Sequence, residues 1–475
     1  MEEYTAQRRV CIVGAGLVGA LASVYFAQRG WHVDVFDTRP DPRVSQDSAH
    51  NQQRSINLAI STRGITALKQ VGLGLAEEVL QAAIPMHGRM IHGLTGHQSS
   101  QAYGVFGQCI NSFERKRLNI SLLDAAESFS NVTMHFGYTL RACDLDQGAA
   151  KFEVRATGQE YVVTVDLIVG ADGAYSTCRR QLMRRTRMDY SQTYISHDYC
   201  ELTIPARQNE HGEQEYAMDP NHLHIWPRHT FMMIALPNKD RTFTCTLFMP
   251  KEQFEAIATP ESLLAFYQTH FPDAIALIGR DQLTHGFFAN PRGALMSVKC
   301  TPYHYQDKMV ILGDAAHCMV PFYGQGMNCG FEDIQVLFRI LDELQVTTTV
   351  PPPGQAKAVD SQWHSQMQRA LDCYTRTRHR DAVAICDLAM YNYIEMRSSV
   401  VSWQYLFRKK LEDGLHKLFP SLIIPLYTMV SFTQIPYHKA IERHERQTRW
   451  LTRGLMGVGV VTTAALAALV RCYRK

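Results

Sequence analysis

The chain has 475 residues, of which 46% are hydrophobic and 20% charged, too long for one ordinary core and too apolar for a disordered polypeptide. Its 48 basic residues stand against 45 acidic ones, a balance that excludes nucleic-acid binding by global electrostatics. Twelve cysteines scattered from Cys11 to Cys472 without a C-x-x-C pair exclude a disulfide scaffold and a zinc ribbon, and favour a reducing compartment.

The first element is "RRVCIVGAGLVGALASVYFAQRGWHVDVFD" at 8–37, a strand, glycine turn, helix and second strand in the layout of a βαβ unit. Gly14, Gly16 and Gly19 have G-x-G-x-x-G spacing, and Leu17 and Val18 open the helix. Such a turn cradles a pyrophosphate, although glycine turns also serve helix–strand packing alone. Asp37 ends the second strand, where a carboxylate accepts hydrogen bonds from ribose hydroxyls. Residues 117–129 carry helical spacing, and "YVVTVDLIV" at 161–169 reads as one strand run ending at Gly170. That run leads into Asp172-Gly173, an ordinary turn or a second ligand motif, followed by Arg179.

From about Tyr190 to Phe288 the texture is strand-like, as in "HLHIWP", "TFMMIALP" and "RTFTCTLFMP", and the first domain resumes at "DKMVILGD". The middle segment therefore reads as a sheet-rich insertion. His222 and His224 alternate on a strand and share a face, but no third ligand accompanies them, so no metal site is expected. In "VILGDAAHCMVPFYGQGMNCGFED" at 310–333 a strand stops at Asp314, crosses a Pro and Gly turn and opens a helix. Glycines allow close backbone approach there and the helix start offers N–H groups to an anion. His317 is a weak functional candidate, equally a structural histidine. Beyond the Pro-rich loop 346–355, residues 360–418 read as mostly helical, and 454–470, "GLMGVGVVTTAALAALV", is seventeen residues without charge. As a helix it spans roughly 25 Å, marginally enough to cross a bilayer with the flanking arginines snorkelling.

The three motifs in this order resemble the flavoprotein aromatic hydroxylases of the para-hydroxybenzoate hydroxylase fold. The resemblance implies bound FAD, held at the matching positions by Gly14, Gly16, Leu17, Val18, Gly19, Asp37, Arg39, Ala59, Arg115 and Asp172. It also places Asp314 on the ribityl chain, and Pro321, Gly324, Gln325, Gly326, Met327 and Asn328 around the isoalloxazine. The strings "RSINLAIS", "IPMHGRMIH", "LHIWPRHTFMMIALPN", "PFYGQGMNCGFED", "MYNYIEMR" and "IPLYTMVSF" resemble one branch of that family, the kynurenine 3-monooxygenases. This implies hydroxylation of L-kynurenine to 3-hydroxykynurenine with NADPH and O2 through a flavin C4a-hydroperoxide, without a protein catalytic residue. By the same resemblance Arg89, Tyr103, Asn392 and Tyr427 meet the substrate carboxylate, and Leu223, Ile234, Leu236 and Phe248 pack on its ring.

The expected fold is α/β: a Rossmann-like FAD-binding domain (1–75, 105–185 and 290–345) with an inserted antiparallel β-sheet substrate domain (76–104 and 186–289). A helical C-terminal region (356–447) covers the pocket, and a C-terminal transmembrane helix (454–470) anchors the chain. The short apolar tail with basic flanks resembles the tail anchors of the mitochondrial outer membrane, which leaves the catalytic body facing the cytosol. Two alternatives stay open at this point. One is a membrane-associated FAD monooxygenase of another aromatic substrate; the other is a non-catalytic binding protein of the Rab GDP-dissociation inhibitor type. No NADPH docking site is assigned.

Overall fold

A computed structural model describes residues 7–44, 57–350 and 356–473, with the backbone alone for 356–358, 455 and 457–473. The apolar runs Arg9–Val13, His32–Asp37, Leu167–Gly170 and Met309–Ile311 lie in one six-stranded sheet, flanked by His304–Tyr305 at one edge and Val132–Phe136 at the other. Every neighbouring pair is parallel except the one at the His304 edge. Helices Leu17–Gln28, Arg115–Glu127 and Gly326–Glu343 pack around it, so the strands are buried on both faces and read as continuous apolar runs. Parallel strands end at a common edge. Gly14, Asp37, Asp172 and Asp314 are therefore brought together from sequence positions far apart, at the sheet edge where α/β folds bind ligands.

The run 161–169 is two strands, because Asp166 interrupts it. The Asp166 carboxylate accepts from the Arg9 N–H at 2.7 Å and from the Arg8 guanidinium at 2.9 Å. Leu167–Gly170 continues the parallel sheet, whereas Glu160–Thr164 joins a separate three-stranded meander.

A second sheet has seven strands in the order Gly293–Thr301, Asp189–Ile204, Phe243–Pro250, Phe231–Pro237, His222–Arg228, Gly88–His92 and Gln98–Ala102. It is mixed rather than antiparallel throughout, since Gly88–His92 and His222–Arg228 pair in parallel. These two strands come from distant parts of the chain and are not joined by a hairpin, so nothing forces the antiparallel sense. One face packs on helices Lys251–Ala256, Pro260–His270, Pro272–Ile278 and Arg280–Ala289. This helical stretch lies inside the segment expected to be strand-like throughout. Its signals are local: Pro260 and Pro272 sit in first turns, and Thr259 with Ser262 forms a capping box. Loop 207–216 is a small hairpin of Arg207–Gln208 and Gln214–Glu215.

The C-terminal region is helical. Helix Ala356–Arg397 runs against both the helix Gly326–Glu343 and the seven-stranded sheet, and is followed by Trp403–Leu418, Leu426–Phe432 and Tyr437–Tyr473. Among the described residues no helix is long and apolar enough to cross a membrane, so the structure lends no support to the transmembrane helix expected at 454–470. That segment ends the helix Tyr437–Tyr473, and its side chains from residue 457 on lie outside the described residues, as do residues 351–355 of the Pro-rich loop.

His222 and His224 both contact Asp219, through its carboxylate and its carbonyl in turn. His224 Nδ1 lies 2.8 Å from His92 Nε2, and His222 Nδ1 lies 2.7 Å from Asp219. Burial pushes the His224 imidazole down to about 4, below an unfolded value of roughly 6.5. The folded state then binds fewer protons than the unfolded one between these values, so stability falls as pH drops through that window. We expect unfolding by urea to show a loss of about 1.4 kcal/mol between pH 7.5 and 5.5 from this group. A His224→Asn variant should lose that slope; an unchanged slope would assign it elsewhere.

Candidate active site

The three glycines of the first turn answer to different constraints. Gly14 has φ +104°, and a Cβ there would lie 2.4 Å from the Ala171 carbonyl oxygen; one on Gly19 would lie 1.8 Å from the Gly14 oxygen. Packing within the protein demands both. At Gly16 a Cβ would meet only the Arg39 guanidinium at 3.9 Å, in an ordinary backbone conformation. Among the described residues nothing requires glycine there, whereas a phosphate resting on the N-terminus of helix Leu17–Gln28 would.

The carboxylates divide in the same way. Asp37 accepts from the Ala15 N–H at 2.8 Å and from the Arg39 backbone and guanidinium. Burial alone would raise its carboxyl, but Arg39 and these N–H donors hold it below its ordinary value. Asp172 caps the helix Thr177–Met183, accepting from the Ser176 hydroxyl at 2.5 Å and the Thr177 and Cys178 N–H groups. Arg179 ties this turn to the third motif by donating to the Ala174 and Ala315 carbonyls at 2.6 and 2.8 Å. Asp314 has no side-chain hydrogen bond among the described residues, and lines the cavity with Arg115. Burial raises its carboxyl despite the Arg115 charge.

Below the third motif, Asp333 accepts from the Gly313 N–H at 2.9 Å, from His317 Nε2 at 2.6 Å and from Arg378 at 2.9 Å. His317 is thus a buried cation; burial opposes its charge, and Asp333 outweighs burial and raises the imidazole. His317, Cys329 and Asp333 have ligand atoms within 4.8 Å of one another. The Arg378 guanidinium contacts both Asp333 and the Cys329 sulfur at 3.3 Å, so a positive charge is already in place there.

One cavity of about 850 Å³ holds nearly all the expected residues, a size at the upper end for small-molecule sites. Gly14, Gly16, Leu17, Val18, Asp37, Arg39, Ala59, Arg115, Asp172, Asp314, Pro321, Gly324, Gly326 and Met327 line one part of it. Arg89, Tyr103, Leu223, Ile234, Leu236, Phe248, Asn392 and Tyr427 line the other. Gly19, Gln325 and Asn328 do not. The Asn328 amide clamps the loop 59–61, bonding the Ser61 N–H and the Ala59 and Gly324 carbonyls at 2.8–2.9 Å, and Gln325 accepts from the Tyr437 hydroxyl at 3.2 Å.

At the far end the rings of Tyr103, Tyr427 and Tyr323 stack in series, 5.2 and 5.3 Å apart, with the Arg89 guanidinium 4.7 Å from the Tyr427 centroid. Arg89 donates to Glu395 at 2.9 Å and to Asn392 at 3.3 Å, while its buried Nε has no partner among the described residues. Burial disfavours the guanidinium charge, but Glu395 and the surrounding tyrosines keep it fully protonated.

Comparison with known proteins gives this geometry a family. The model of the FAD binding domain family matches residues 7–348. Kynurenine 3-monooxygenase of Candida albicans is 46% identical over 99% of this chain and 98% of its own length, that of Drosophila willistoni 46% over 96% and 94%, and that of Sus scrofa 42% over 99% and 94%. The chain belongs to the kynurenine 3-monooxygenase family. Among solved structures, 2-methyl-3-hydroxypyridine-5-carboxylic acid oxygenase superposes with a TM-score of 0.62 at 19% identity, over 83% of this chain and 94% of that one. The p-nitrophenol 4-monooxygenase of Pseudomonas putida does so at 0.61 and 15%, over 86% and 93%; these likenesses bear on the fold alone. This family member is an FAD-dependent monooxygenase. The open Gly16 backbone, the Asp314 carboxylate without a hydrogen-bond partner among the described residues, and the open space at Gly326 fit the pyrophosphate, the ribityl hydroxyls and a flat ring in turn.

The sequence reading missed Glu395, and it placed Phe322 and Tyr323 only within the stretch 321–328 at the isoalloxazine, without a role at the substrate end. Phe322 and Tyr323 lie within the third motif, and Phe322 packs 4.9 Å from Phe248. Glu395 follows Asn392 by three residues on a helix, so both face Arg89. We expect Asp314→Ala to retain FAD roughly 10- to 100-fold less tightly, from loss of about 1.5–3 kcal/mol of charge-assisted hydrogen bonding. Its thermal stability without flavin should match the parent. Stoichiometric flavin after dilution and gel filtration would remove Asp314 from the cofactor site.

Proposed function

We propose that the chain hydroxylates L-kynurenine at ring position 3, consuming NADPH and O2 and releasing 3-hydroxykynurenine. The observation that carries this reading is a continuous cavity that runs from the glycine turn to a buried arginine whose Nε has no partner among the described residues. When bound, FAD supplies the oxygen-activating redox chemistry. The residues of the chain hold and orient. Arg89 offers the substrate carboxylate a planar fork, Asn392 and Glu395 fix that fork, and the ring of Tyr427, itself stacked on Tyr103, flanks it. Leu223, Ile234, Leu236 and Phe248 present an apolar wall, which seats an aromatic ring and excludes water from the reacting centre. The N–H groups at the start of helix Gly326–Glu343 favour negative charge on the bound cofactor. The ring amino group of kynurenine itself activates the carbon beside it, so no protein base is required. His317 is a positioning group in this scheme, engaged with Asp333.

We also assign the units by function: an FAD-binding domain of 1–75, 105–185 and 290–345, a substrate domain of 76–104 and 186–289, and a cover of 356–447. The uncharged stretch 454–470 supports a tail anchor in the mitochondrial outer membrane with the catalytic body in the cytosol. That proposal rests on sequence. The full-length chain should stay with membranes through alkaline carbonate extraction and a chain ending at Arg453 should not; a full-length chain that extracts would remove the anchor.

Incubation of the FAD-loaded protein with kynurenine and NADPH should yield 3-hydroxykynurenine matched to NADPH oxidised. Arg89→Lys keeps the charge and loses the fork, so the kynurenine KM should rise roughly 10- to 100-fold, as expected for about 1.5–3 kcal/mol of charged hydrogen bonding. Bound FAD should be unchanged. Kynurenine affinity equal to the parent by titration would exclude Arg89 from the substrate site.

A further inference from the structure

Strand Asp189–Ile204 opens with a ladder of exposed rings. Tyr190, Gln192 and Tyr194 alternate and so share one face, and the two tyrosines are 37% and 51% exposed. Gln192 ties them together, accepting from the Tyr190 hydroxyl and donating to the Tyr194 hydroxyl at 2.9 Å. Opposite them stand Cys300, Val298 and Met296 of the neighbouring strand, on the same face. Val298 and Met296 pack with Cys318 of the third motif and Ala174 of the second. The ladder is continuous with the mouth of the cavity: Tyr194 hydrogen-bonds Tyr175, which lines that cavity and is 66% exposed. At the other end of the ladder the Arg179 guanidinium lies 5.5 Å from the Tyr190 centroid.

A block of positive charge leads into the ladder. Residues 179–188 hold five arginines and no acid, and Asp189 is the only acid between 173 and 197. Arg179 is engaged with the Ala174 and Ala315 carbonyls, and Arg185 pairs with Asp146. Arg180, Arg184 and Arg187 are exposed and have no ion pair among the described residues. Arg180 donates to the Thr177 hydroxyl at 2.7 Å, and Thr177 also lines the cavity. Arg184 follows Arg180 at i+4, as the C-cap of helix Thr177–Met183, so the two share a side. One exposed guanidinium without a counter-ion is ordinary. Three of them, beside flat exposed rings at a cavity mouth, fit a ligand that is both phosphorylated and aromatic. The near-even balance of 48 basic and 45 acidic residues gives no wider basic field, so the charge is scaled to a small anion rather than to a nucleic acid.

We propose that this surface binds the adenosine 2′-phosphate end of NADPH, with the adenine on the Tyr190 ring and the 2′-phosphate on Arg184 and Arg187. The proposal rests on the reading above that NADPH is the reductant. In that reading FAD and kynurenine occupy the cavity, so the nicotinamide enters past Tyr175 and the rest of the dinucleotide lies along the rim. The ladder from Tyr194 to Tyr190 leads roughly 13 Å away from that mouth, toward the arginines.

Full-length, FAD-loaded protein, in which the flavin's own adenosine site is filled, is titrated calorimetrically with adenosine 2′,5′-bisphosphate and with adenosine 5′-monophosphate. The bisphosphate should bind more tightly. A double variant, Arg184→Ala with Arg187→Ala, should bind the bisphosphate roughly tenfold less tightly and the monophosphate nearly as the parent does. Tyr190→Ala should lose roughly tenfold for both nucleotides and Tyr190→Phe should not, because the ring face makes the contact. These side chains are exposed, so flavin content and kynurenine affinity should equal the parent's. On anaerobic mixing the double variant should need roughly tenfold more NADPH to half-saturate flavin bleaching, at an unchanged limiting rate. Parental affinities for the bisphosphate and NADPH in the double variant would overturn the site and leave the proposed hydroxylation standing. Failure of the parent to bind the bisphosphate, or equal binding of the two nucleotides, would also overturn it. A parent whose flavin NADPH does not bleach would instead remove the reading on which the site rests.

Discussion

The buried carboxylate of Asp333 holds the catalytic end of the molecule together. It accepts from the backbone of Gly313, from His317 and from Arg378, and so joins the end of a parallel strand, the helix beneath the cofactor loop and the long C-terminal helix. Two cations on one carboxylate would be costly alone, since each charge has left water. Glu332 balances the set by accepting from Arg378 at 3.0 Å and pairing with Arg63, whose guanidinium lies 3.9 Å from the Tyr437 centroid. Asp314 follows Gly313 directly, so this cavity-lining carboxylate is held by a network that does not touch its side chain.

The cavity mouth and floor follow one economy of contacts. Where the protein meets itself closely, at Gly14, Gly19 and Gly324, a side chain is sterically barred. Where open space remains, at Gly16 and Gly326, the glycine leaves backbone N–H groups bare. At the opposite end the logic is electrostatic: one guanidinium, buried among three tyrosines and one glutamate, keeps its charge and a donor in reserve for an anion.

Much of this was legible before any coordinates. Gly14, Gly16, Asp37 and Asp314 belong to local motifs whose spacing carries their geometry, Arg89 was implied by the family resemblance, and all five line the cavity. What was hidden depends on tertiary partners. Asn328 lies in a motif but turns its amide to the loop 59–61, and nothing in its neighbours specifies that direction. The parallel pairing of Gly88–His92 with His222–Arg228 joins segments about 130 residues apart, beyond the reach of alternation. The helices after Pro250 were written in capping residues and prolines, and the preceding strands masked them. Glu395 was visible by helical spacing from Asn392, yet it gains meaning only once Arg89 is known to be buried beside it.

The order of strands in the parallel sheet sets a timetable for the newborn chain. Leu167–Gly170 pairs on one side with the strand at the very start and on the other with Met309–Ile311, while Arg63 is capped by the carbonyls of Val430 and Ile435, more than 360 residues later. A ribosome adding roughly 5–20 residues per second delivers those partners tens of seconds after the glycine turn has emerged. Until Met309–Ile311 emerges the sheet has an open edge, and the guanidinium destined for burial waits first for Glu332 and then for these carbonyls. The holoenzyme is therefore assembled late and nearly all at once, with high contact order and a long exposure of strand edges. Prolonged exposure of unpaired strand edges during synthesis is a liability built into its topology.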